Sequence, residues 1–311
     1  MVSAVFHSPR DLGDEPTVAA KPAAARRPAT AANEDAAPVT AAPKPAKPPR
    51  APIDWRSLSL SVLAPVLSMA LLVGIWALAT MKGGGSFPTP GATWEAAAKL
   101  FADPFYSKGP NDQGIGWNIL NSLGRVGMGF GLAALIGIPL GFVVGRFDFA
   151  NRMISPLISL LKPVSPLAWL PIGLLAFKSA NPAAIWTIFI CSIWPMVVNT
   201  SVGVQRVPAD YLNVARVLNL SEWKVITKIL LPAVLPYVLT GVRLSVGTAW
   251  LVIVAAEMLT GGVGIGFWVW DEWNNLNVAH IIIAIFVIGI VGLLLEWTLI
   301  SIAKRFSFAE D

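Results

Sequence analysis

Residues 210–236, DYLNVARVLNLSEWKVITKILLPAVLP, form a polar stretch between two long hydrophobic segments. In its first half, an apolar residue recurs at i, i+3, i+4 and i+7, the spacing of one helix face: Tyr211, Val214, Ala215 and Leu218. Arg216 falls on the polar side of the same helix. The pattern therefore predicts a short amphipathic helix, which either docks on a partner or rests on lipid headgroups.

The second half of this stretch predicts another helix after a sharp turn. Asn219 stands where a left-handed residue would turn the chain, a conformation that Asn tolerates better than most residues. Ser221 is expected to cap the next helix, with Glu222 in its first turn. Trp223 lies on the apolar face of this helix, and Leu231-Pro232 is expected to end it. The two halves together predict a helix-turn-helix.

The composition of the chain indicates an integral membrane protein. Hydrophobic residues make up 55% and charged residues 13% of the sequence, and the mean hydropathy is +0.64. The apolar residues occur in blocks that are long enough to cross a hydrocarbon core of about 30 Å as helices. We therefore predict an all-α membrane fold in which residues 53–308 form six transmembrane helices. Their expected ranges are 57–80, 122–145, 154–177, 179–205, 233–259 and 278–303, with the polar loop at 207–232.

Lys and Arg near the ends of the predicted spans set the expected orientation. They are concentrated on the side that holds Arg146, Arg152, Arg206 and Lys224, and few lie on the opposite side. Because cytoplasmic segments carry the excess of Lys and Arg, this side is expected to be cytoplasmic. Both termini and the helix-turn-helix would then face the cytoplasm.

The N-terminal residues 1–52 are rich in Ala and Pro and have no long apolar run. Such a composition cannot bury a core, so this segment is expected to be a disordered cytoplasmic tail. A regulatory or tethering role for the tail is the alternative.

Cysteine and histidine usage argues against several kinds of site. Cys191 is the single cysteine of the chain, and His7 and His280 lie far apart in sequence. This pattern suggests no disulfide framework, metal cluster or Cys/His catalytic pair. No phosphate-binding loop of the G-x-x-x-x-G-K-[ST] type occurs either. We therefore expect neither an enzyme nor a chain that itself binds ATP, a metal or a nucleic acid.

Glycine and proline predict the internal geometry of two spans. Gly137, Gly141 and Gly145 recur at steps of four in the second span, as do Gly127 and Gly131, which predicts close helix packing. The third span contains repeated prolines: Pro163, Pro166 and Pro171. Each removes a backbone donor, so this span is expected to be a broken helix beside a cavity, with simple kinking as the alternative.

Ionisable residues within the spans are functional candidates because a charge in lipid is costly. Arg243 and Glu257 belong to the fifth span, but fourteen residues separate them, so they cannot pair with each other. Arg243 is expected either to hold a carboxylate of a neighbouring span or to attract an anion. Glu257 is expected at a gate or helix contact, whereas Lys162 and Glu296 are expected to reach toward water.

The helix-turn-helix resembles the EAA loop of ABC importer permeases of the binding-protein-dependent type. The matching positions are Ala215, Leu218, Asn219, Ser221, Trp223, Ile229, Leu231 and Pro232. The chain departs from the family at Asn213, which stands in place of the Glu that opens the loop, and at Asn219, which replaces Gly. The resemblance implies a type I importer permease that pairs with a second copy and docks two cytoplasmic ATPases through this loop. ATP and Mg would be bound by those ATPases, and an external solute-binding protein would deliver the substrate.

Flanking motifs resemble the nitrate, sulfonate, taurine and bicarbonate branch of these permeases. They are SLGRV at 122–126, PLAW at 166–169, GVRL at 241–244, AEM at 256–258 and the Gly- and Trp-rich stretch at 259–275. The resemblance implies a bacterial inner-membrane permease for nitrate, with nitrite as a companion and bicarbonate or an alkanesulfonate as the alternative. A secondary transporter or channel is the alternative of a different class. Candidates for the translocation path or gate are Pro166, Trp169, Arg243, Glu257 and Met258.

Overall fold

The computed structural model describes residues 55–82 and 87–306, and the predicted tail at 1–52 lies outside them. In this part of the chain all regular elements are helical. The helices are α1 (Trp55–Lys82), α2 (Pro90–Leu100), α3 (Ile115–Arg146), α4 (Asp148–Leu161), α5 (Pro166–Phe177), α6 (Ala180–Gln205), α7 (Ala209–Val217), α8 (Glu222–Val225), α9 (Leu231–Thr260), α10 (Ile265–Asn274) and α11 (Val278–Phe306). A π-helical turn at Ile226–Leu230 joins α8 to α9.

Five helical stretches of the described chain are long and apolar enough to cross a membrane: α1, α3, α6, the continuous stretch from α8 through α9, and α11. Helices α4 and α5 become a sixth span if they are taken together, although a bend of 100° separates them. The predicted all-α membrane fold is therefore confirmed.

Helix α6 lies at the centre of the fold and packs along both α3 and α9. Small residues bring α3 close to α6: a Cβ at Gly141 would lie 2.6 Å from the Thr200 Cβ, and a Cβ at Gly145 would lie 2.6 Å from the Val204 Cβ. Gly127 and Gly131 have no neighbouring atom within 4 Å, so they do not share this contact. The close packing that the glycine spacing predicts is therefore made by Gly137, Gly141 and Gly145.

The span predicted at 154–177 consists of two helices that begin earlier and break in the middle. Helix α4 begins at Asp148 and ends at Leu161, and α5 begins at Pro166. Pro163 and Pro166 supply no backbone donor, and a proline also disfavours helical geometry in the residue before it. These properties explain the break that the prolines predict. Lys162 lies at the break and is exposed, which places it at a joint between helices.

The predicted end of the second loop helix at Pro232 is wrong, because one helical stretch runs from Glu222 to Thr260. The π-helical turn at Ile226–Leu230 directly precedes this proline. A π turn shifts the hydrogen-bonding pattern by one residue, which accommodates a proline that has no N–H and would clash with the carbonyl four residues earlier. The segment from Glu222 to Leu230 is thus a helical extension of α9.

Candidate functional site

The polar loop between α6 and α9 is a compact helix-turn-helix. Helix α7 ends at Val217, and Asn219 has a φ of 49°, the left-handed conformation expected from the sequence. The Leu220 amide then donates to the carbonyl of Ala215 over 3.0 Å, which closes the turn. Ser221 occupies the N-cap position of α8, but its side chain makes no capping hydrogen bond. We call residues 207–232 the coupling loop, after the role that the resemblance implies for them.

The apolar stripe of α7 divides into an exposed set and one buried residue. Tyr211, Val214 and Leu218 are 59%, 58% and 64% exposed. Ala215 is 2% exposed and belongs to a hydrophobic cluster with Val225, Leu230 and other residues of the same chain. Ala215 therefore lies beneath the exposed apolar face of α7, although the sequence pattern predicts it on that face. Val217 and Trp223 are also exposed and extend the apolar surface beyond the predicted stripe.

The coupling loop is attached to three spans. It follows α6 directly, and its continuation is α9. Phe142 of α3 joins the hydrophobic cluster beneath α7. In addition, Arg146 at the end of α3 pairs with Glu222, with Nη2 to Oε1 at 3.0 Å. A displacement of the loop would therefore be transmitted to α3 as well as to α6 and α9.

Glu257 lies at the opposite end of α9, where it is 1% exposed. Ser122 Oγ lies 2.9 and 2.8 Å from its two carboxylate oxygens, and the Gly266 amide donates to Oε2 over 3.0 Å. Arg125 of α3 donates to Oε1 and forms an ion pair with it. The partner of Glu257 is therefore a cation on another helix, as the spacing argument requires.

The same polar cluster caps the N-terminus of α10. Gly264 donates its amide hydrogen to Asn118 Oδ1 over 2.8 Å, and Ile265 donates to Ser122 Oγ over 3.0 Å. Together with the Gly266 amide, these are N-terminal donors that have no acceptor within their own helix. Glycine allows the close approach, since a Cβ on Gly266 would lie 2.1 Å from the carbonyl oxygen of Val254. We call Asn118, Ser122, Arg125 and Glu257 the capping cluster.

Comparison with known proteins assigns the family. Residues 137–307 match the family described as the binding-protein-dependent transport system inner membrane component. The chain belongs to this family. A nitrate import permease protein of Synechocystis sp. is 46% identical over 76% of this chain and 86% of its own length. A bicarbonate transport system permease protein of Synechocystis sp. is 43% identical over 78% of this chain and 88% of its own length. A solved methionine ABC transporter in an inward-facing conformation has a TM-score of 0.55 at 13% identity, covering 61% of this chain and 94% of that chain, so it supports the fold alone.

Arg243 of the permease pairs with Glu296 of α11, and its Nε donates to Oε1 over 2.9 Å. Both side chains are about half exposed and line a cavity of about 640 Å³ between α9 and α11. The sequence predicts two alternative roles for Arg243. This contact corresponds to the first role, in which Arg243 binds a carboxylate of a neighbouring span. Glu296 therefore has a cationic partner within the membrane-spanning part of the chain.

The remaining path candidates of the permease are dispersed. Pro166 begins α5, while Trp169 is half-buried and packs against the main hydrophobic core. Met258 follows Glu257 and is half-buried. The two described cavities that Arg243 lines have none of these three residues in their walls. Among the residues that the structure describes, no group of His, Cys, Asp and Glu is arranged to hold a metal ion.

Sequence reasoning missed Arg125, Asn118 and Ser122 as members of one site. The predicted second span began at 122, whereas α3 begins at Ile115 and includes all three residues. Arg125 ends the polar part of this helix and directly precedes its uncharged run, so it resembles an ordinary boundary residue. A signal was available in the i, i+4 spacing of Asn118 and Ser122, which places two hydrogen-bonding side chains on one helix face.

Proposed function

We propose that the chain is the membrane-spanning subunit of an ATP-driven importer for a small inorganic oxyanion, with nitrate as the substrate and nitrite as a companion. The observation that carries the substrate is the 46% identity to a nitrate import permease over most of both chains. The polar contacts support the same class. Arg125 and Arg243 are both neutralised by carboxylates, so the membrane-spanning part offers guanidinium donors without unpaired charge.

The proposed assembly contains two copies of this permease, two cytoplasmic ATPases and an external solute-binding protein. ATP and Mg belong to the ATPases. Family membership supports the ATPase and the binding protein, because the family belongs to binding-protein-dependent transport systems. The positive residues Arg146, Arg206, Arg216 and Lys224 lie in or beside the coupling loop, which supports a cytoplasmic position for this loop and for both termini.

Coupling in this proposal uses the exposed face of α7. Tyr211, Val214 and Leu218 present an apolar surface that fits a groove on an ATPase, a helix-in-groove contact. The family's opening Glu is Asn213 here, and its side chain accepts a hydrogen bond from Arg216 within the same helix. The contact with the ATPase is therefore apolar in character, and nucleotide-driven movement passes through the loop into the attached spans.

Two other functions are alternatives to this proposal. The 43% identity to a bicarbonate permease favours bicarbonate as the second candidate, ahead of an alkanesulfonate. A secondary transporter or channel is disfavoured, because neither class requires the coupling loop that this chain has.

Uptake in cells tests the substrate and the energy source together. The chain is expressed with its cognate ATPases and binding protein in cells that lack their own nitrate uptake, and accumulation of labelled nitrate is measured. We expect nitrate uptake that is competed by nitrite and lost when the ATPases carry an inactive ATP site. Saturating competition by bicarbonate without competition by nitrite would overturn the substrate. Transport by the isolated permease without nucleotide would overturn the importer.

A further inference from the structure

A cavity on α3 and α6 lies beside the capping cluster and has both polar and apolar lining residues. Its volume is about 310 Å³, at the lower end of the range of roughly 300–1,000 Å³ that is typical of small-ligand sites. Its polar lining consists of Asn121, Arg125 and Asn181, and its apolar lining includes Trp117, Leu120 and Met128. None of these residues belongs to the sequence-predicted path.

Three hydrogen-bond acceptors hold the Arg125 guanidinium at the wall of this cavity. Its Nε donates to Asn181 Oδ1 over 2.6 Å, and its Nη1 donates to Glu257 and to the Val263 carbonyl. The side chain is 11% exposed, so its orientation is fixed by these contacts. Among the described side chains, no acceptor occupies Nη2 of Arg125 or the amide nitrogen of Asn181. The unused donors belong to two residues that line one cavity.

The charges around the cavity favour weak, reversible binding of an anion. Glu257 neutralises Arg125, so the guanidinium is stable at this depth and yet retains donors for a ligand. The Nη2 donors of Arg125 and the neighbouring amide nitrogen of Asn181 match the oxygen atoms of a small oxyanion. Because the pair carries no net charge, the attraction is modest, which a transport path requires.

We propose that Arg125 and Asn181 form a low-affinity binding site for a small inorganic oxyanion on the translocation path, with Asn121 in the lining beside them. This inference rests on the proposed function, since it assigns the imported anion a resting place within the permease. The site lies at the end of the molecule opposite the coupling loop, because Arg125 precedes Arg146 by twenty-one residues on α3, about 31 Å along a helix. An anion released by the external binding protein would meet this site first.

Thiol protection tests the site directly. Cys191 is buried, so Leu120→Cys, at a half-exposed residue of the cavity lining, supplies a distinct accessible thiol. The full chain is reconstituted with its ATPases in phosphatidylcholine nanodiscs, and the rate of labelling by an anionic methanethiosulfonate is measured with sodium nitrate or with sodium gluconate at equal ionic strength. At nitrate concentrations several times a millimolar Kd, we expect labelling to slow roughly threefold or more. Trp94→Cys, on the exposed face of α2 and outside the cavity, should show no protection.

Variants assign the protection to the donors. Arg125→Lys keeps the charge but removes the free Nη2 donors, and it should abolish protection of the Leu120→Cys thiol. Arg243→Lys, the matched change in the other intramembrane arginine pair, should retain protection. Should Arg125→Lys fail to fold, Asn181→Ala provides the second test, because its side chain is exposed and its loss should weaken protection. Unchanged protection in Arg125→Lys, or in Asn181→Ala where Arg125→Lys does not fold, would overturn the site.

Two further outcomes would also overturn the proposal. Equal protection by nitrate and gluconate would mean that no oxyanion site exists. Labelling that is insensitive to nitrate but slows at Leu120→Cys, and not at Trp94→Cys, when phosphatidylglycerol is added would assign the cavity to an anionic lipid headgroup. Both outcomes are distinguishable from failure of the proposed function, because cellular uptake of nitrate is measured separately and bicarbonate can be used in the same labelling assay.

Discussion

Glu257 neutralises a guanidinium and caps a helix at the same time. Its carboxylate receives Arg125, Ser122 and the Gly266 amide, and the positive end of the α10 dipole lies against it. A carboxylate at this depth would otherwise be among the most expensive groups in the chain. These hydrogen bonds and the ion pair explain why Glu257 is buried where α9 packs against α3 and α10.

Removal of this carboxylate should strongly destabilise the permease. Glu257→Ala leaves the largely buried guanidinium of Arg125 without its counterion, a loss that typically costs about 3–5 kcal/mol. We expect a large drop in the midpoint of thermal unfolding of the detergent-purified chain. Glu222→Ala is the matched control, because it breaks the exposed pair with Arg146 and should cost at most about 1 kcal/mol. Equal effects of the two variants would contradict the role assigned to the capping cluster.

The sequence identifies Glu257 as a functional candidate, but it does not identify the residues that bind its carboxylate. An isolated acidic residue in an apolar run is visible in one sequence. Its ion-pair partner Arg125 is 132 residues away, and the pairing depends on how α3 packs against α9. The division of the α7 stripe is hidden for a similar reason, because Ala215 and Val214 differ in burial through contacts with Leu230 and Val234 that helical spacing does not reveal.

At the scale of elements, the contact between α3 and α6 depends on the absence of side chains. Gly141 would place a Cβ 2.6 Å from Thr200 and 2.9 Å from the carbonyl oxygen of Val197, a backbone atom that cannot move independently. Gly131, on the same helix, faces open space. One helix therefore offers two glycines with opposite expected responses to an added methyl group.

Gly141→Ala and Gly131→Ala should change stability in opposite directions. At Gly141 the new methyl group overpacks the contact with α6, which typically costs about 1–3 kcal/mol. At Gly131 the change improves helix propensity by up to about 1 kcal/mol without a clash. Thermal unfolding of the two purified variants measures the difference. A lower stability for Gly131→Ala than for Gly141→Ala would show that the packing face has been assigned wrongly.

Helices were easier to predict than the joints between them. Long uncharged runs in the sequence predict the spans, and prolines correctly predict the break between α4 and α5. The sequence predicts a helix end at Pro232 because a proline often ends a helix, whereas the preceding π turn allows α8 and α9 to continue as one helix. The π turn depends on backbone hydrogen bonds that span several residues, so the residue types alone do not predict it.

At the scale of the whole molecule, the coupling loop and the capping cluster lie at opposite ends of the same three-helix unit. Helices α3, α6 and α9 pack together along their lengths, and α3 and α9 each reach both regions. Packed helices move as rigid elements rather than bending continuously. Movement at the loop should therefore alter the geometry around Arg125 and the neighbouring cavity.

The exposed face of α7 should decide whether ATPases bind. Val214→Asp places a carboxylate at the centre of this face, and desolvation of that charge in the groove should weaken association by tenfold or more, equivalent to at least about 1.4 kcal/mol. The measurement is copurification of the ATPases with the tagged permease in detergent. Because Val214 is exposed in the chain itself, membrane insertion and folding should be unchanged.

Asn213→Asp is the matched control for this prediction. It adds the same charge one residue away on the polar side of α7, where the side chain is exposed and adjacent to Arg216. ATPase recovery should stay close to that of the unaltered chain. Ala215→Asp gives a different result again, because its charge would be buried among residues of the same chain and should lower the stability of the loop itself. Undiminished ATPase recovery with Val214→Asp would mean that this face of α7 is not the docking surface.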